Sequence, residues 1–540
     1  MHPRRILAVF CLAAASLIAQ SPWKVAPAPP ASWQRDRIAD LTARRRAVMD
    51  AIGAKGILIL YAAEPRNYAG DVDWPFRQEN NFYYLTALNQ PGSALVLIPG
   101  AESVREVLFL PPSNPDRESW TGHLLTPAEA REISGIQQVW DSRHLATFLN
   151  TILPQAKTPE EPRRATNAPA GQGRGGRGGR GPSLPPAQPI PIDLNQAFSG
   201  TIQSVAGGQA DVYMLNPARN WQTELPREHE FAARLSAASP AVAVKDATPV
   251  FSKLRAIKSP RELDILRHTE AITAEAFQRA YTVATPGTPE YEIQAQFEFT
   301  FLRRNAHWGY PCIVGSGVNA TTLHYETNRG TIHPGDLLLM DDAAEFDGYS
   351  VDVTRTIPVD GKFTKEQADI YRLVYAAQQA GIANAKPGHR SSGVAPDSIN
   401  GAAVKVFKEG LLKLGLITDP NSDQYRIWFN HGISHGIGLN VHDPGASELA
   451  PGMVVTVEPG LYFRPDALEH LEKTPENEQF IAAVRPAFER YKGIGVRIED
   501  DVLVTNGQPE VISSAVPSKL EDVEATIAQL RQARISNPLP

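Results

Sequence analysis

Three stretches of this sequence place carboxylates inside runs that look like buried strands, and a fourth gathers imidazoles. The first runs Asp336-Leu-Leu-Leu-Met-Asp-Asp-Ala-Ala-Glu-Phe-Asp-Gly-Tyr-Ser-Val-Asp-Val-Thr-Arg-Thr-Ile357. Asp347-Gly348 between two β-prone runs is a hairpin signal. With a two-residue turn, Phe346 faces Tyr349, Ala343 faces Asp352 and Asp341 faces Thr354. Side chains alternate along a strand, so Asp341 and Asp352 become diagonal neighbours on one face, about 7–8 Å apart at the backbone. Two carboxylates at that spacing can close on a cation, while Asp342 points to the other face. The alternative is a pair of solvent-facing acids on an exposed hairpin. Against it, Leu337 to Met340 is a continuous apolar run, which implies a strand buried on both faces, where a bare carboxylate is costly.

The second stretch is His431-Gly-Ile-Ser-His-Gly-Ile-Gly-Leu-Asn-Val-His442, with histidines at 431, 435 and 442 among glycines that let the backbone approach a ligand. The third, Met453-Val-Val-Thr-Val-Glu458, is an apolar strand that ends in a carboxylate and is stopped by Pro459-Gly460. In the fourth, Gly495 to Val504, alternation puts Arg497, Glu499 and Asp501 on one face and Val496, Ile498 and Asp500 on the other. Glu499 then needs either a cation or Arg497 as its partner. Four carboxylates and one imidazole suit divalent ions such as Mn²⁺, Co²⁺ or Zn²⁺. Four negative charges balance two dications, and two metals about 3.5–4 Å apart can acidify a water and polarise an amide carbonyl. A serine or cysteine nucleophile is not expected: the sequence reads as lacking a nucleophile elbow, and Cys312 has only His307 near it in sequence.

Other elements must carry these residues to one place. Ser259-Pro-Arg-Glu, followed by Leu263, Ile265, Leu266, Ile272 and Phe277, predicts a long helix with a serine cap and proline at its first position. It opens a catalytic region expected over residues 251–540. Before it, Gly56 to Tyr61, Ala94 to Ile98 and Arg105 to Leu110 read as buried strands of a first α/β domain over residues 33–240. That domain is interrupted at about 155–190 by an Arg/Gly/Pro-rich insertion containing the Arg/Gly repeat Gly173 to Gly181. With almost no large apolar residues, the insertion is expected to be disordered. Arg/Gly repeats can hold single-stranded nucleic acid, but no aromatic residues are interleaved here to stack bases.

The chain has 540 residues, 42% hydrophobic and 21% charged, and its net charge is 53 − 59 = −6. These values are ordinary for a soluble globular protein and oppose global disorder, a polytopic membrane protein and a dedicated nucleic-acid binder. Cys11 and Cys312 are the only cysteines, too few for a disulfide framework. Arg4-Arg5 precedes the uncharged run Ile6 to Ala19, which is shorter than the roughly 20 apolar residues a membrane span requires. It reads as a signal peptide over residues 1–19, with secretion or periplasmic export expected and an uncleaved anchor as the alternative. No stable membrane insertion is expected after its removal.

The four segments in this order resemble the creatinase/prolidase-like pita-bread metallopeptidases, and within them the Xaa-Pro aminopeptidase (aminopeptidase P) family. Phe76-Arg-Gln-Glu-Asn-Asn-Phe-Tyr-Tyr-Leu-Thr-Ala-Leu-Asn-Gln-Pro91 is similar to that family's N-terminal domain signature. The resemblance implies an α/β (α+β) protein: a creatinase-like N-terminal domain, then a pita-bread domain with a curved, mainly antiparallel sheet. It implies Asp341 as a terminal metal ligand, Asp352 and Glu499 as bridging ligands, and His435 and Glu458 on the second metal, with Glu458 also accepting a proton. It further implies His324 and His442 near the scissile bond and His431, Tyr462 and Arg497 beside the substrate proline. Two ions, Mn²⁺ by family preference, peptides with proline at the second position and a homo-oligomer (dimer or tetramer) complete the expectation. Prolidase, with the same ligands, is the alternative activity. A metal-free creatinase-like hydrolase would lack the ligand set, and a silent binding module would rely on the Arg/Gly tract. The sequence departs from the family pattern at Asp342, where a small residue is usual, at Asn440, where an aspartate is usual, and in the long stretch Pro465 to Tyr491.

Overall fold

The computed structural model describes residues 23–153, 186–217, 226–445 and 447–536. The signal-peptide expectation and nearly all of the Arg/Gly insertion lie outside these residues. In the first half, six strands form one mixed sheet in the order Val139–Asp141, Glu106–Leu110, Ala94–Leu97, Gly56–Tyr61, Asp211–Met214 and Ala243–Asp246. The pairs flanking Ala94–Leu97 are antiparallel and the outer pairs are parallel. Leu58 and Leu60 point to a core shared with the second half, while Ile57 and Ile59 point to a separate core with Phe109, Trp140 and Phe148. Burial of both faces explains why these strands read as unbroken apolar runs.

The second half opens with the long helix Pro260–Val283. Its Ser259 cap and Glu262 satisfy each other's backbone donors. Apolar residues from Ile265 to Phe277 pack into the shared core. The helix also holds the Asp341 hairpin: Ala344 N donates to Thr273 Oγ1 at 3.0 Å, and Tyr349 Oη donates to Glu262 Oε1 at 3.0 Å. The residues ahead of it contribute too, since Trp23 is buried and the Arg279 guanidinium lies 4.0 Å over its ring.

The hairpin register is the one counted from the sequence, with Phe346 opposite Tyr349 and Asp341 opposite Thr354. Asp347 and Gly348 both take positive φ, 52° and 80°, as a two-residue turn of this hand requires. The ladder is interrupted at Asp342 and Ala343, where Asp342 N still bonds Val353 O. Around it the sheet is antiparallel but divided into short ladders. Val454–Val457 pairs with Asp500–Leu503, and Gly460–Tyr462 pairs with Gly495–Arg497. The single strand expected from Gly495 to Val504 is therefore two strands. At the crossing, Ile498 N bonds Pro459 O and Glu499 N bonds Thr354 O, which carries Glu499 to the hairpin. The long stretch from Pro465 forms the helix Pro475–Tyr491. Among the described residues no helix is long and apolar enough to cross a membrane.

Candidate metal centre

The ladders meet around a cavity of about 440 Å³ lined by Asp341, Asp352, His435, Glu458, Glu499, His324, His431, His442 and Arg497, together with Tyr310, Glu326 and Ser434. Asp341 ends the strand Leu337–Asp341, and the bonds Asp342 N to Val353 O and Val351 N to Ala344 O set Asp352 opposite Ala343, diagonal to Asp341 as counted. Glu458 follows the strand Val454–Val457, and Glu499 sits at the crossing. Asp352, His435 and Glu499 offer ligand atoms that all lie within 4.8 Å of one another. Glu458 Oε1 joins them at 3.6 Å from His435 Nε2, and Asp352 Oδ2 lies 3.5 Å from the same nitrogen.

The hydrogen bonds fix the state of that histidine. His435 Nδ1 lies 3.1 Å from Gly436 O, which can only accept, so Nδ1 carries the proton and Nε2 presents a lone pair. Burial, then the neighbouring His442, lower its pKa to about 4, so the ring is neutral near pH 7. A lone pair facing two carboxylate oxygens is repulsive unless a cation lies among them.

The carboxylates are held on one side and open on the other. Asp352 Oδ1 accepts from Tyr310 Oη at 2.5 Å, and Glu499 Oε2 accepts from Thr354 Oγ1 at 2.6 Å. Asp341 Oδ2 is paired with Arg497 Nη2. Asp341 Oδ1 and Glu499 Oε1 are buried with no hydrogen-bond partner among the described residues. Burial and then neighbouring carboxylates raise Asp352 and Glu499 well above the usual carboxylate range. Burial pushes Glu458 up to about 8, opposed by Arg497 and reinforced by Asp341. One guanidinium against four acids, three buried and Glu458 half-buried, leaves an excess of negative charge. Orphaned oxygens, a neutral imidazole and uncompensated acids together fit divalent cations.

The other expected residues are placed as follows. His324 and His442 line the same cavity. Tyr462 lies behind the wall, its hydroxyl 3.0 Å from His431 Nε2 and 2.9 Å from Arg497 Nη1. His431 Nδ1 donates to Gly432 O at 2.6 Å, so its Nε2 accepts from Tyr462. Burial, then Arg497, lower its pKa to about 4. Arg497 pairs with Asp341 rather than with Glu499, and its Nε donates to Thr354 Oγ1 at 3.1 Å.

Tyr310 and Thr354 escaped the sequence reading. Thr354 was within reach, because the register count already set it opposite Asp341. Tyr310 had no local signal. The string Gly432-Ile-Ser-His-Gly436 does have the spacing of a nucleophile elbow, contrary to expectation. It lies in irregular chain instead of a strand-to-helix turn, and among the described residues Ser434 Oγ is bonded to no base. Cys312 is buried, and burial followed by Asp342 holds its thiol far above the usual range, so it stays protonated.

Comparison with known proteins adds an independent line. Residues 41–159 match the "Aminopeptidase P, N-terminal domain" model, and residues 264–506 match "Metallopeptidase family M24". Xaa-Pro aminopeptidase of Escherichia coli K12 is 30% identical over 502 residues, covering 91% of this chain and 97% of that protein. Human Xaa-Pro aminopeptidase 3 is 27% identical over 485 residues, covering 87% and 81%. Aminopeptidase P from E. coli, solved with the inhibitor Pro-Leu, superposes with a TM-score of 0.69 at 29% identity, covering 92% of this chain and 99% of that one. A zinc-substituted form of the same enzyme, solved with product, has the same TM-score and covers 91% and 98%. With both domains matched in order and the pita-bread fold shared, the chain belongs to the Xaa-Pro aminopeptidase (aminopeptidase P) family of M24 metallopeptidases.

Proposed function

We propose that this metallo-aminopeptidase removes the N-terminal residue from peptides with proline in second position, using two divalent ions of which Mn²⁺ is the native pair. The observation that carries the reading is the His435 Nε2 lone pair set 3.5 and 3.6 Å from Asp352 Oδ2 and Glu458 Oε1, beside the orphaned Asp341 Oδ1 and Glu499 Oε1. Asp341, Asp352, His435, Glu458 and Glu499 would hold the ions. Bound there, the pair supplies positive charge that polarises the scissile carbonyl and lowers the pKa of the attacking water.

The chain's own groups do the rest. Glu458 takes the proton that the water gives up. His324 and His442, on the cavity wall, face the reacting amide and its leaving nitrogen. The neutral His431, oriented by Tyr462 and through it by Arg497, lines the proline side. Arg497 also fixes Asp341, so the ligand and the proline pocket share one support. Relatives that are aminopeptidases along nearly their whole length favour this activity over prolidase. We extend the proposal to export, on the strength of Arg4-Arg5 and the uncharged run Ile6 to Ala19, and to a homo-oligomer.

The test is a peptide-length series on purified protein, before and after chelation. Gly-Pro-X tripeptides and longer peptides should be cleaved, chelation should abolish turnover, and Mn²⁺ should restore it best among Mn²⁺, Co²⁺ and Zn²⁺. Turnover of the Gly-Pro dipeptide alone would replace this reading with prolidase.

A further inference from the structure

His435 and His442 bracket a short irregular loop, and their rings lie 4.4 Å apart, edge to face. The two are held differently. The His435 ring is hydrogen-bonded to Gly436 O. Among the described residues no protein group hydrogen-bonds the His442 ring, so its position follows from where the loop backbone is held.

The N-terminal domain helps to hold that backbone. Glu79 caps the helix Asn80–Thr86 by accepting from Phe82 N at 2.7 Å, and the buried Gln78 ties its start to Leu88 O at 3.0 Å. From this anchored start Arg77 reaches across to the catalytic half. Its Nη2 donates to Leu439 O and to Glu345 Oε2, both at 2.7 Å. Its Nη1 donates to Asn80 Oδ1 at 3.1 Å, and Asn80 Nδ2 donates to Asn440 Oδ1 at 2.5 Å. Asn81 Oδ1 accepts from Arg255 Nη1 at 2.8 Å, and Arg255 Nη2 pairs with Asp443. Leu439, Asn440 and Asp443 surround His442 in sequence. The same helix steadies the metal hairpin, where Tyr83 Oη donates to Asp347 Oδ1 at 2.8 Å. Asn440, one of the departures from the family pattern, is thus a contact point between the two domains.

We propose that Arg77, with Asn80, is a positioning residue for the reaction: it sets the loop that places His442 in the cleft, making the N-terminal domain part of the catalytic apparatus. Arg77 touches neither the cavity nor the ligand set. Its carbonyl contact fixes the loop from behind, and Glu345 neutralises the guanidinium there. The inference rests on the reading that His442 acts on the substrate.

The experiment is a double-mutant cycle on the full-length metal-loaded protein with a Gly-Pro-X substrate. Arg77→Ala should lower kcat about tenfold, since small misplacements of a reacting group are expensive, with metal content and thermal midpoint retained. Arg77→Lys, which keeps the charge and a single donor nitrogen, should recover part of the loss, and Asn80→Ala should show a smaller loss of the same kind. In a His442→Ala background, Arg77→Ala should cost nothing further. Full kcat in Arg77→Ala, losses that multiply in the double variant, or a loss that follows metal content would each overturn the proposal. Full activity in His442→Ala alone would instead remove the underlying reading of that histidine.

Discussion

Glu499 and Asp500 are adjacent in the chain, point to opposite sides of it, and are equally buried at 2% exposure. Their surroundings differ completely. Asp500 accepts from Arg355 Nη2 and Gln378 Nε2, each at 2.6 Å, and from Ser513 Oγ at 2.5 Å. Among the described residues Glu499 accepts from Thr354 alone and keeps Oε1 without a partner, facing a cavity lined by four more acids, Glu326, Asp341, Asp352 and Glu458. A third arrangement lies one residue further on. Asp501 accepts from Asp352 N at 3.0 Å and is electrostatically coupled to the buried Glu270. Burial and Asp501 hold Glu270 well above the usual carboxylate range, so the pair shares a proton. Structural acids here are therefore compensated by the protein, with a guanidinium or a proton. The acids of the cleft have one guanidinium, on Asp341, shared among four carboxylates, and near neutral pH the rest of their counter-charge comes from outside.

The largest expected effects separate these roles. Asp352→Asn keeps the shape and the Tyr310 contact but removes a charge from the crowded cleft. It should abolish peptidase activity and metal uptake, while the chelated protein unfolds at the same temperature or a higher one. Asp500→Asn removes the carboxylate that, among the described residues, pairs with the fully buried Arg355. It should cost about 3–5 kcal/mol of stability, the usual penalty for orphaning one member of a buried pair. Thermal unfolding and metal analysis of both variants read the contrast. A destabilised Asp352→Asn with metal retained would break it.

A smaller effect should appear with pH. In metal-free protein, Asp352 and Glu499 lie well above the usual carboxylate range and Glu458 is pushed up to about 8. Such groups bind protons more tightly folded than unfolded. Their contribution to stability is present below the ordinary carboxylate pKa and is lost as pH rises toward about 8. Cations displace those protons, so affinity should climb over the same interval and loading should release protons. The unfolding midpoint of chelated protein should therefore fall between about pH 5 and pH 8, and the gap to the metal-loaded protein should widen. A gap that stays constant across that interval would mean the acids do not share a site.

Much of this contrast was legible in the sequence, because it depends on alternation. The turn at Asp347-Gly348 sets the hairpin register, and that register alone puts Asp341, Asp352 and Thr354 on one side. Alternation likewise separated Glu499 and Asp501 from Asp500. Alternation does not say what arrives from elsewhere in the chain. Arg355 and Gln378 reach Asp500 from a different strand and a helix, and Tyr310 reaches Asp352 from an irregular segment. Nor did it show that Gly495 to Val504 changes partners at Ile498 and Glu499, because an apolar run reads the same whichever strand it pairs with. The N-terminal signature was visible as a resemblance, but its grip on the His442 loop depends on contacts more than 350 residues apart, as in Asn80 to Asn440.

The smallest expected effect tests whether the two sides of the Glu499–Asp500 pair are independent. Thr354→Val conserves shape but removes the hydroxyl that donates to Glu499 Oε2 at 2.6 Å and accepts from Arg497 Nε at 3.1 Å. A hydroxyl that only orients a ligand should, when lost, weaken cation affinity about 10–100-fold. Excess cation should then restore activity, and the thermal midpoint should move little. Ser513→Ala is the matching change on the other side, where the hydroxyl donates to Asp500. It should cost about 1 kcal/mol of stability and leave cation affinity unchanged, because Arg355 and Gln378 still hold the carboxylate. Activity that stays low in Thr354→Val at saturating cation would place that hydroxyl in the chemistry itself. A shift of cation affinity in Ser513→Ala would show that strain crosses the strand, and the division between its two faces would no longer hold.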